Sequence, residues 1–133
     1  MSKFEFKNQE KPELLKLQIN GRNYSFNPLS LSVKRASEKF LKGQKVLMRQ
    51  SKKENLKQEE ISDIVYKCCD LVRETIDLIL GNGAYEKIFG GRTMDFEENQ
   101  ELVTFIFQEI ASFTKNKNLT VHAEEMNHEH LVG

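Results

Sequence analysis

The sequence has no tryptophan, only two prolines and two cysteines, and no apolar run near the roughly 18 residues that a membrane span requires. So few prolines, with seven glycines spread through 133 residues, exclude collagen-like and mucin-like chains. The cysteines are neighbours, Cys68 and Cys69. Adjacent helical side chains point about 100° apart, so the pair cannot readily close on itself, and it lacks the two-residue gap of zinc and redox motifs. A disulfide-stapled fold is thereby excluded, and the two thiols read as small core or half-buried residues in a reducing compartment. The opening stretch MSKFEFKNQEKPE holds no apolar segment of the secretory kind. These absences lead to the expectation of a soluble, intracellular globular domain.

There is no net charge of either sign, because 20 basic residues balance 20 acidic ones. Their distribution is uneven. From Lys34 to Lys57 nine basic residues meet only Glu38 and Glu54, a local excess of +7. From Gln58 onward fifteen acidic residues meet six basic ones, an excess of −9. One basic segment facing an acidic remainder makes a strongly dipolar molecule.

Catalytic patterns are missing as well. No GxSxG, HExxH, P-loop or GxGxxG setting occurs. The glycines of GNGAYEKIFGG follow no parallel strand and read as helix stops. His122, His128 and His130 stand near Glu124, Glu125 and Glu129 in a stretch with no expected fixed geometry, which gives a metal nothing to settle on. No enzyme, metal or cofactor is expected.

What is present is a pattern of elements. In LLKLQINGRNYSFNP the pair Asn20-Gly21 suits a two-residue type I′ turn, since both positions need positive φ. That turn sets Ile19 against Arg22, Leu17 against Tyr24 and Leu15 against Phe26, and the alternation of apolar residues demands the same register. A lone hairpin is marginal in water, so its apolar face must rest on something.

Three long amphipathic segments follow. The first helix spans about Leu29 to Ser51, with Leu29, Val33, Ala36, Phe40, Gly43 and Leu47 inward, widened by Leu41 and Met48. The second runs from about Leu56 to Leu80, capped by Asn55 with Gln58, and stripes Ile61, Val65, Cys68, Val72 and Ile79 beside Ile64, Leu71 and Leu78. Gly81 then marks a left-handed C-cap. A short helix, about Ala84 to Phe89, ends at Gly90-Gly91. A capping box of Asp95 and Glu98 opens the last helix, about Phe96 to Thr114, with Leu102, Phe105, Ile106, Ile110 and Phe113 inward. The expected fold is a mainly α small helical bundle, three longer helices plus one short, with an N-terminal β-hairpin. Residues 14–115 form its single domain, between a flexible N-terminus (1–13) and a flexible polar tail (116–133) with at most a short element near Leu119 to His122.

The run Leu80-Gly81-Asn82-Gly83-Ala84-Tyr85-Glu86-Lys87-Ile88-Phe89, together with the INGRNYSF hairpin, resembles the tail assembly chaperones of long-tailed phages and prophages of Gram-positive bacteria. The resemblance covers about Leu15 to Phe113 and brings no catalytic residue. It implies a non-enzymatic factor of the host cell cytoplasm, absent from the mature virion. Such a factor binds the tape measure protein, and with it the tail-tube protein is a further expected partner. Self-association is expected as well, head-to-tail, because a two-fold axis at the basic helix would oppose like charges. Lys34, Lys42, Lys45 and Arg49, with Leu78, Tyr85, Ile88 and Phe89 about the glycine turn, are the expected partner or self-association residues. The alternative is a small nucleic-acid-binding regulator using the basic helix 34–57, though it lacks interleaved aromatics and acidic helices flank it.

Overall fold

The computed structural model describes residues 2–5, 13–92 and 95–132, with 117–132 described by backbone alone. Two strands, β1 (Leu15–Ile19) and β2 (Arg22–Phe26), are followed by helices α1 (Leu31–Ser51), α2 (Gln58–Leu80), α3 (Ala84–Phe89) and α4 (Phe96–Val132). The fold is thus mainly helical, three long helices and one short, behind an N-terminal hairpin. Residues 2–5, 13 and 14 carry no regular structure. The rest of the expected flexible N-terminus lies outside the described residues.

The hairpin has the expected register, Leu15 with Phe26, Leu17 with Tyr24 and Ile19 with Arg22. Asn20 and Gly21 take φ of 50° and 78°, the pair of left-handed residues that a type I′ turn needs. Leu17, Ile19 and Phe26 are buried, and Leu15 and Tyr24 pack against the same core. A long-range bond seats the turn: the Asn20 side-chain amide donates to the Ile88 carbonyl at 3.1 Å.

Helix starts fall slightly later than the sequence suggests. In α1 the cap is Ser30, whose hydroxyl accepts from the Val33 amide at 3.3 Å, while Asn27 bonds the Leu29 amide and holds Pro28-Leu29 in a turn. Asn55 does not cap α2. It sits at φ 61°, a left-handed position that Asn tolerates, and the chain enters the helix at Lys57, whose amide donates to Glu60 Oε1 at 3.5 Å. The Asp95 cap of α4 is present, accepting from the Glu98 amide at 3.0 Å.

The core runs between α1, α2 and α4, floored by the hairpin and α3. Val33, Ala36, Phe40 and Leu47 are the buried face of α1, whereas Leu29, Leu41 and Met48 are exposed. In α2 the buried line is Cys69, Val72, Ile76 and Ile79, while Ile61, Val65 and Leu78 remain exposed. Periodicity identifies the right side of the helix but does not reveal how much of it a neighbour covers. Val103 and Ile106 are the buried pair of α4, with Leu102 and Ile110 half-buried at its edges and Phe105 turned outward. α1 crosses α2 closely at Gly43, where a Cβ would lie 2.9 Å from Leu71 Cδ2.

Two ends differ from expectation. α4 does not stop near Thr114; its backbone is helical to Val132, through the stretch expected to be a flexible tail. The physical reason is the lack of any stop signal, since no glycine or proline occurs between Phe96 and Val132. Gly81 does end α2, donating to the Asp77 carbonyl at 3.0 Å, but at φ 117° and ψ 155° rather than in the helical left-handed region. That conformation is nearly exclusive to glycine. A Cβ there meets nothing within 4 Å, so the cost of Gly81→Ala is entirely backbone strain. The expected loss is about 1 kcal/mol or more, read as a fall of about 3–5 °C in Tm by calorimetry. An unchanged Tm would contradict it.

Candidate interaction surface

Positions 34, 38, 42, 45 and 49 recur every three or four residues along α1 and so share one face, opposite the buried line of Val33, Ala36, Phe40 and Leu47. Lys34, Lys42, Lys45 and Arg49 are all exposed there. Among the described residues none of the four makes an ion pair; the one basic residue of α1 that does is Lys39, turned sideways to Glu74 on α2. The excess positive charge of α1 is therefore presented to solvent rather than neutralised by the acidic helices.

Beside this basic face lies an open seam. α4 runs antiparallel to α1, its start near Leu47 and Met48 and its middle near Ser37 and Phe40. The two helices do not close on each other along this length. They leave a groove of about 410 Å³ whose floor is Phe40, Val103 and Phe107 and whose walls include Leu41, Gln44 and Ala111. Phe40 and Phe107 face each other with ring centroids 5.2 Å apart, a tilted contact that fixes the floor. Leu41 is 54% exposed on the rim, on the side of α1 that turns toward the basic face. The channel is lined mostly by apolar and uncharged side chains, and the basic face borders it on the Leu41 side. The sequence signal for it was weak: Leu41 reads as part of the core stripe, and nothing marks Phe107 as the floor of a groove.

The residues about the glycine turn divide differently from expectation. Leu78 is exposed and remains available to a partner, whereas Tyr85, Ile88 and Phe89 are buried at 3%, 7% and 6% exposure and belong to the core. The apolar residues of this six-residue helix point into the bundle, because the turns on both sides clamp it. The Tyr85 amide donates to Asp77 Oδ1 at 3.0 Å, and the Tyr85 hydroxyl donates to Asn99 Oδ1 at 2.7 Å. Asn99, itself fully buried, donates onward to the Asp95 carbonyl at 2.6 Å. Burial pushes the Tyr85 hydroxyl above the ordinary phenol range, so it stays protonated and donates. Gly90 and Gly91, both at positive φ, reverse the chain, and Arg92 lies over the Phe89 ring at 5.8 Å.

Burial raises both cysteine thiols, Cys69 further influenced by Cys68 and Asp95, which keeps them as thiols rather than thiolates. Among the described residues no cluster of three metal-ligating side chains occurs, and no helix is long and apolar enough to cross a membrane. The side chains of His122, His128 and His130 lie outside the described residues.

The chain belongs to the family of unknown function DUF6673, which it matches over residues 20–129. No curated protein and no solved structure matches it.

Proposed function

We propose, from the surface just described and from the resemblance noted in the sequence, that the protein is a non-enzymatic tail assembly chaperone. It binds the long helical tape measure protein in the host cytoplasm and keeps it soluble while tail-tube subunits assemble. The observation that carries this reading is the open apolar groove between α1 and α4 beside an unpaired basic face. The resemblance of the hairpin and of Leu80 to Phe89 to such chaperones supports it. An exposed amphipathic helix aggregates through its apolar stripe. A groove that takes up the stripe, with Lys34, Lys42, Lys45 and Arg49 drawing acidic flanks alongside, masks that stripe without any chemical step.

Co-expression with a tape measure protein, the proposed client, is the test. The client is expected in the soluble fraction with this chain and in the pellet without it. Leu41→Asp places a carboxylate on the groove rim, where an exposed side chain changes without disturbing the core. It is expected to return the client to the pellet while the helical circular dichroism is kept. A client equally insoluble with and without the chain would remove the proposal. The exposed basic strip also suits nucleic acid. A raised absorbance ratio at 260 over 280 nm, with a gel shift at low salt, would favour that second reading.

A further inference from the structure

The apolar stripe of α2 is two turns longer than the bundle that covers it. Ile61 and Val65 continue, at four-residue spacing, the line of Cys69, Val72, Ile76 and Ile79. α4 begins only at Phe96, which lies beside them, so nothing in the described chain closes over the start of α2. Ile61 and Val65 stay 43% and 38% exposed, and Met48 and Phe96 on either side stay 51% and 42% exposed. The four rim a depression of about 350 Å³ at the open end of the core. An apolar patch in line with a core stripe marks an interface rather than a stray exposure.

Its borders carry opposite charge. The last turn of α1 and the loop after it bring Arg49, Lys52, Lys53 and Lys57, all exposed, against the single exposed acid Glu54. The first turn of α4 brings Asp95 and Glu97, also exposed. Charge counted along the chain argues for head-to-tail contact, since the basic segment meets itself across a two-fold axis. In the folded molecule both signs flank one patch. An axis in the contact plane, passing between the two borders, turns the basic border of each copy onto the acidic border of the other. The two apolar ends then cover one another.

We propose that this open end joins two copies of the chain as a two-fold dimer, with Ile61, Val65, Met48 and Phe96 at its centre and the two charged borders pairing across it. The apolar centre of the contact is separate from the groove between α1 and α4 and only Arg49 belongs to both surfaces, so tests at Val65, Lys52, Lys53 and Glu97 are independent of the chaperone reading.

Sedimentation velocity of the full chain is the test. A species of twice 15.5 kDa is expected at low salt, loosening toward monomer near 1 M, where the Debye length is about 3 Å. Val65→Asp buries a carboxylate against the patch and is expected to weaken the dimer by more than about tenfold, with the circular dichroism unchanged. A charge swap is more specific. Lys52→Glu with Lys53→Glu in one preparation, and Glu97→Lys in another, should each dissociate more readily than the parent. Mixed, they should recover, because both borders of the mixed dimer are again opposite in sign. A monomer under all conditions, a mass that grows past the dimer with concentration, or a dimer indifferent to Val65→Asp would each overturn the proposal. Recovery of the dimer on deleting residues 1–12 from a monomeric parent would instead show that the chain's own N-terminus covers the patch, and would overturn it too.

Discussion

Asn99→Ala should lower the unfolding free energy by about 3 kcal/mol. Asn99 has no exposure and joins two turns of the chain, accepting from the Tyr85 hydroxyl and donating to the Asp95 carbonyl. Truncation leaves the buried hydroxyl without its acceptor, a cost of roughly 1–3 kcal/mol, and opens a small cavity besides. Tyr85→Phe removes the donor and leaves the Asn99 carbonyl oxygen unpaired, so it should cost about 1–2 kcal/mol. The two residues share one bond, and the double variant should therefore cost clearly less than the sum of the singles. Urea unfolding of the four proteins measures this cycle. Additive losses would show that the Tyr85–Asn99 bond does not couple α3 to α4.

Reversing Lys42, Lys45 and Arg49 to Glu should abolish client solubilisation while leaving the melting temperature within a few degrees. All three are exposed, and among the described residues none makes an ion pair, so the fold loses no contact. The face they share changes by six charges, from attraction of acidic flanks to their repulsion. Electrostatic complementarity chiefly governs encounter and selectivity, and like charges set against each other across an interface cost several kcal/mol. The parent's client binding should correspondingly weaken as salt rises, and the reversed variant should show no such dependence. The proportion of client in the soluble fraction, measured at low and high ionic strength, reads both. Full solubilisation by the reversed variant would leave the groove as the whole site and the basic face without a role in it.

The hairpin was fully legible in the sequence, because two independent signals coincide there. Asn20-Gly21 fixes the turn, and the alternation from Leu15 to Phe26 permits only the register that turn imposes. The helix-ending places of Gly81 and Asp95 were readable too, since a helix end without a partner needs a particular kind of residue, but the extended conformation of Gly81 was not. The surface was less so. Ile61 and Val65 obey the same spacing as the buried residues of α2, and only the starting point of α4, more than thirty residues later, leaves them bare. Tyr85, Ile88 and Phe89 lie among glycines in a helix too short to show a period, so their inward orientation rests on bonds to Asp77, Asn99 and Asn20 that no local pattern announces. Asn99 reads as one more polar residue in the first turns of α4, and its burial depends on a tyrosine 14 positions away.

The Asn20–Ile88 bond carries a consequence for the order of assembly. A hairpin of this kind closes in microseconds by itself, but its turn can be fastened only to a carbonyl that lies 68 residues further along. The entropy of closing so long a loop rises only slowly with its length, yet it is met only after α1, α2 and α3 have come together. The hairpin is therefore expected to dock after α1, α2 and α3 have met, and to detach early on unfolding. Backbone amides of β1 and β2 should exchange with solvent through this partial opening, at a lower free energy than those of Val72, Ile76 and Ile106.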